Sequence, residues 1–252
     1  MNKLSLTLVG LALAALSASA QDGGSVLDYS AWGDFNKVEF SRKDNHVETS
    51  LTFVLPMQFG TSVLTGVNYL GGWSEAERAY PDFLDLDTRK NFVYSLEMVS
   101  MRMRSGAAEL SLGLRWTYMN FTFSDPSLTL RQTLDKTYVP FPIALESDAY
   151  NYAKSKLFAS YLGIPVRFSL NYGKATFYAG ASAELLMDHY TKYKRPKVRQ
   201  PAPGLFNKFR ATLEAGFSYG GVGLFVNYGL TPLFPERFSD ARTLTFGLTL
   251  GL

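Results

Sequence analysis

The chain has 252 residues, no cysteine, a formal net charge of +3, 15% aromatic residues and a mean hydropathy of −0.04. The missing cysteines exclude disulfides and thiolate metal sites, and the near balance of charge gives no global reason to expect nucleic acid. After the first twenty residues there is no apolar run of the roughly 18 residues a spanning helix needs, which leaves an all-β chain, either a soluble sandwich or an outer-membrane barrel.

The chain opens with Lys3, an apolar run from Leu4 to Leu16, and Ala18-Ser19-Ala20 before Gln21. This is the pattern of a secretory signal peptide over 1–20. No cysteine follows it, so a lipoprotein anchor is not expected, and loss of Lys3 takes the charge from +3 to +2. Residues 21–33 read as a periplasmic tail, with the barrel domain over 34–252.

Phe35 to Ser41 and Val47 to Leu55 face each other across Lys43-Asp44-Asn45-His46, a turn by composition. In the second segment Val47, Thr49, Leu51, Phe53 and Leu55 oppose Glu48, Ser50 and Thr52, the period of two expected of a strand. A short link at 56–60 leads into Ser62 to Leu70, and a long acidic connection follows from Gly71 to Lys90. Its carboxylates lack the spacing of a calcium loop, so neither a metal nor a cofactor is expected.

Alternation resumes with Phe92, Tyr94, Leu96 and Met98 against Ser95 and Glu97. After Arg104-Ser105-Gly106, the residues Leu110, Leu112, Leu114, Trp116 and Tyr118 oppose Glu109, Ser111, Gly113, Arg115 and Thr117. A loop of roughly thirty residues, Ser124 to Lys154, carries Tyr138, Val139, Phe141 and Ile143, which should pack on something. Next, Leu162, Ile164, Val166, Phe168 and Leu170 oppose Arg167 and Ser169. Asn171-Tyr172-Gly173-Lys174 closes a hairpin into Ala175 to Leu185, with Ser182 and Glu184 on its other face.

A basic loop, His189 to Asn207, precedes the clearest alternation in the chain. Phe209, Ala211, Leu213, Ala215, Phe217 and Tyr219 oppose Arg210, Thr212, Glu214 and Ser218. Val222, Leu224, Val226, Tyr228 and Leu230 follow, interrupted only by Phe225, and then Leu244, Phe246, Leu248, Leu250 and Leu252. The apolar face runs for roughly ten residues per strand, the length that crosses a bilayer at a tilt. Short links at 56–60, 104–107, 171–174 and 219–221 alternate with long ones at 71–90, 124–155, 189–207 and 231–241. Short periplasmic turns and longer extracellular loops are the habit of outer-membrane barrels. The expected fold is therefore an antiparallel up-and-down transmembrane β-barrel of ten strands, with eight as the alternative if the first hairpin is left out.

Lys156-Leu157-Phe158 through Tyr161-Leu162-Gly163-Ile164-Pro165-Val166, the hairpin into Tyr178-Ala179-Gly180-Ala181, and Val226-Asn227-Tyr228-Gly229-Leu230-Thr231-Pro232-Leu233-Phe234 carry a resemblance. They resemble the small porin-like outer-membrane β-barrel proteins abundant in Bacteroidetes, over about the last hundred residues. The chain departs from many outer-membrane proteins in ending on Leu252 rather than an aromatic residue. The resemblance implies a Gram-negative outer-membrane location, contact with membrane lipid, lipopolysaccharide and the barrel-assembly machinery, and no assigned chemistry.

With the apolar face outward, Glu97, Glu109, Arg115, Arg167, Glu184, Arg210 and Glu214 point inward. Charges there are costly unless paired, so they are expected to form a polar network that fills the lumen, able to line a narrow pore or a small-ligand site. Lys192, Lys194, Arg195, Lys197 and Arg199 form a basic surface cluster suited to lipopolysaccharide phosphates. For an enzyme at the rim, Asp188 and His189 are the one pair of suitable types, but adjacent strand residues point to opposite faces. The expected role is non-enzymatic: structural, surface-binding or narrow-pore, in a monomer.

Overall fold

The computed structural model describes residues 39–44, 47–52, 56–70, 78–80, 82–134, 136–143, 154–194 and 198–251. The expected signal peptide and tail lie outside them. The strands, in chain order, are β1 (Glu39–Asp44), β2 (Val47–Thr52), β3 (Met57–Thr65), β4 (Phe92–Ser105), β5 (Ala108–Thr122), β6 (Leu128–Gln132), β7 (Tyr138–Pro142), β8 (Lys154–Tyr172), β9 (Ala175–Lys194), β10 (Val198–Pro201), β11 (Phe209–Tyr219), β12 (Val222–Gly229) and β13 (Arg242–Leu250).

Eight of them close a ring in the order β3-β4-β5-β8-β9-β11-β12-β13, every neighbour antiparallel, with β13 returning to β3 from Arg242↔Thr65 to Leu250↔Met57. The sheet closes on itself instead of stacking as two sheets. The ring has eight strands, not ten. The reason lies along β4, whose one edge is taken by β5 over nearly its whole length. Its other edge is shared: β3 pairs with its first part (Met57↔Leu96 to Gly60↔Val93) and β2 with its last part (Thr52↔Ser100 to Glu48↔Arg104). So β2 lies in line with β3 rather than beside it, and the expected turn at 56–60 is no turn. Pro56 offers no N–H to the ladder, while its carbonyl accepts the Glu97 N–H at 3.1 Å. β1 then folds back on β2 outside the ring.

Tight turns set the register at one end of the barrel. Tyr219 pairs with Val222 across Gly220-Gly221 at φ 60° and 84°, the left-handed pair that a two-residue hairpin of this hand requires. Two bulges re-phase the wall, one between Glu97 and Val99 on β4 and one where β8 and β9 slip past each other beside Met187. The β4 bulge keeps Ser95 and Glu97 inside and then turns Ser100 and Arg102 inside as well, against the original parity.

The outer face is apolar around the ring, with Met101 on β4, Trp116 on β5, Val166 on β8, Phe177 on β9, Leu213 on β11, Leu224 on β12 and Leu248 on β13 all exposed. Inside, the barrel is divided into two zones. Its middle is polar and charged. Toward the long-loop end the interior turns apolar: Met119, Phe121, Leu157, Ala159 and Tyr161 from the strands meet Phe83, Leu84, Leu205, Phe206, Leu233, Phe234 and Phe238 from the loops.

The expected loop 124–154 contributes to this second zone. It contains the hairpin β6–β7, whose Leu128, Leu130 and Tyr138 belong to the same cluster, and the following Ile143 is also buried. The Tyr138 hydroxyl donates to the Pro203 carbonyl at 3.1 Å. The expected basic loop is largely strand: β9 continues to Lys194 and β10 folds back on it.

Candidate functional site

Six of the seven charged residues expected to face inward are joined in one chain of alternating sign across the lumen. Glu97 (β4) accepts from Arg167 Nη1 (β8) at 2.5 Å, and Arg167 Nε donates to Glu214 (β11) at 3.1 Å. Glu214 also accepts from Arg115 Nη1 (β5) at 2.6 Å, and Arg115 Nη2 reaches Glu184 (β9) at 3.2 Å. Glu184 in turn holds Arg210 (β11), whose Nε lies 2.8 Å away and whose Nη2 makes a further contact. Three guanidiniums meet three carboxylates, and each of the six side chains is at most 7% exposed. The four inner members each touch two partners of opposite sign, which offsets the desolvation that would make isolated charges here prohibitive.

Neutral groups extend the wiring. Ser182 accepts from Arg115 at 2.9 Å and bonds Thr212 at 2.7 Å, while Arg167 stacks over the Tyr178 ring and Arg210 over Tyr161. Space for the long side chains comes from glycine. A Cβ on Gly113 would lie 2.6 Å from a Glu97 oxygen, and one on Gly163 would lie 2.4 Å from Glu184 Cγ. The three adjacent strands β12, β13 and β3 carry no charge at this level. Asn227 donates to Gln58 at 3.2 Å and Thr245 to Ser62 at 3.0 Å, while Phe225, the inward aromatic of β12, lies against Gly60.

Glu109 stands apart from the six. It faces Arg102 at 3.9 Å near the short-turn end, and both are partly exposed. Arg102 escaped the sequence reading because the bulge changes its parity; it stands opposite Ser111 and reaches Glu109, the partner of Arg104, only diagonally.

In the basic cluster, Lys192 and Lys194 end β9 and Arg199 lies on β10, paired with Asp188 at 3.0 Å and over the Tyr190 ring at 3.8 Å. Arg195 and Lys197 lie outside the described residues. Asp188 is turned to Arg199 and accepts the His189 main-chain N–H at 2.9 Å, whereas the His189 ring meets Phe206 edge-on. The two side chains therefore do not form a hydrogen-bonded dyad. Among the described residues no group of three or more metal-ligating side chains comes together, and no helix is long and apolar enough to cross a membrane, which does not bear on strands.

No family model, no curated protein and no solved structure matches this chain.

Proposed function

We propose that the protein is an integral outer-membrane β-barrel with a closed lumen and no catalytic role, serving as a structural element of the envelope that presents its capped long-loop face at the surface. One observation carries the membrane part: large apolar side chains stand exposed on the outer face of strand after strand while charges are sequestered inside. In water such a continuous apolar belt would be a severe liability, and bilayer hydrocarbon removes that cost. Aromatic residues frame the belt, with Tyr172 and Tyr219 exposed at the short-turn end and the half-buried Tyr118 and Tyr190 packed on either side of the buried Phe158 at the other. Export by the residue 1–20 signal, insertion by the barrel-assembly machinery and a monomeric state belong to the same proposal.

The closed-lumen part follows from two barriers in series. An eight-stranded barrel is narrow enough for its own side chains to fill; here the ion-pair chain crosses the middle and the apolar cap covers the outer end. This favours a structural or surface-binding role over passage of solutes. The rim-enzyme alternative has only Asp188 and His189 to draw on, and their side chains diverge.

Membrane fractionation of the full chain tests the first part, with detergent-dependent extraction and heat-modifiable gel mobility expected; recovery in the soluble fraction would refute it. Planar bilayers test the second: the wild-type protein is expected to be silent at all voltages, and stable unitary conductance would refute the closed lumen.

A further inference from the structure

Above the outer aromatic contacts, three neighbouring strands bring like charges into register. Lys156 of β8 is paired with Lys192 of β9, and Lys192 is paired with Arg199 of β10; one step further out, Lys154 is paired with Lys194. Directly opposed residues share a face and sit with Cβ atoms about 5 Å apart, where like charges destabilise a sheet. Each of these pairs could have been offset by a carboxylate, yet among the described residues only Arg199 has one, Asp188 at 3.0 Å. Lys156 is half-buried, and burial with its neighbours Lys154 and Lys192 holds its ammonium below the usual lysine range.

The row faces outward. Two residues below Lys156 on the same face is Phe158, buried between the tilted rings of Tyr190 at 4.3 Å and Tyr118 at 4.5 Å, and Arg199 lies over Tyr190. Below these rings the exposed apolar side chains begin with Trp116, Leu185 and Met187. Along a strand, two residues span about 7 Å, which sets the cations one layer outside the aromatic layer, where the headgroups of a bilayer lie.

We propose that Lys156, Lys192 and Arg199, flanked by Lys154 and Lys194, form a site for the phosphorylated headgroup of an outer-leaflet lipid, its acyl chains descending along the aromatic and apolar surface below. An anion bridging the row turns an arrangement that costs stability into one held by charge-assisted hydrogen bonds. The site rests on the membrane reading above. It is more specific, because it needs phosphate and hydrocarbon in one molecule.

The test uses the full-length protein and its Lys156→Gln/Lys192→Gln variant, both inserted in phosphatidylcholine vesicles with or without bisphosphorylated lipid A, then extracted gently and weighed by native mass spectrometry. Insertion into plain phosphatidylcholine is scored separately by heat-modifiable mobility. Its failure would overturn the membrane reading and this site with it. Given insertion, the wild-type barrel is expected to retain one lipid A, and the variant, equally folded by mobility, to bind it about thirtyfold more weakly. Equal retention of dephosphorylated lipid A, an unchanged variant, or displacement of the lipid by millimolar inorganic phosphate would each overturn the site alone.

Discussion

The middle of the barrel and its long-loop mouth are built by the same strands and filled in opposite ways. On β5 the inward residues run Arg115 and Thr117 and then Met119 and Phe121; on β8 they pass from Arg167 to Tyr161 and Leu157. In the middle the interior has no other element to meet, so guanidinium and carboxylate must satisfy each other across the lumen. At the mouth, the β6–β7 hairpin and residues 202–206 and 233–238 provide an apolar lid, and the same wall becomes a hydrophobic core. What faces an inward position, more than the strand that carries it, decides which chemistry is stable there.

The sharpest way to break this contrast is at Glu214, which holds both Arg115 and Arg167. Glu214→Ala leaves buried cations short of a partner and is expected to cost about 3–5 kcal/mol, read as an earlier transition in urea titrations of detergent-folded protein monitored by gel mobility. In the lid, Leu205→Ala should cost about 2–5 kcal/mol of local stability. Its effect should appear as faster proteolysis of the lid with the barrel transition nearly unchanged, because the ion-pair chain lies in a different zone.

A smaller change sharpens the packing side. Gly163→Ala forces a Cβ within 2.4 Å of Glu184 Cγ and is expected to cost about 1–3 kcal/mol by displacing the carboxylate. Smaller still is the response of the mouth to alkali. Burial raises the Tyr138 phenol to about 12, so the folded lid keeps its proton where the unfolded chain, near 10, has lost it. That contribution is whole below pH 10 and fades as pH rises toward 12. Alkali-dependent proteolysis of the lid should show it, with the slope absent in Tyr138→Phe. Glu109→Gln should do least, under about 1 kcal/mol in the same urea titration, since its contact with Arg102 is long and partly exposed.

Strict alternation makes the barrel wall and the six members of the ion-pair chain legible in the sequence alone, because period two assigns faces without knowing neighbours. The ring departs from the expected ten strands at one place. Val47, Thr49, Leu51, Phe53 and Leu55 keep their parity straight into Met57, Phe59, Thr61 and Val63, the mark of one interrupted strand along β4, but Pro56 looked like a turn. Arg102 was hidden by a bulge that reverses parity without any sequence mark of its own. The lid was legible only as apolar residues in a loop, since Phe121, Phe206 and Phe234 become core through contacts between segments far apart in the chain.

Lipid contact of the outer face can be read most directly by tryptophan fluorescence. Trp32, Trp73 and Trp116 would be replaced by Phe and a single Trp placed at Val166, Leu213 or Leu248, three exposed positions on different strands. In bilayers carrying bromine on the acyl chains, all three variants should be strongly quenched. Emission that brominated chains leave untouched at these positions would contradict a membrane-spanning barrel.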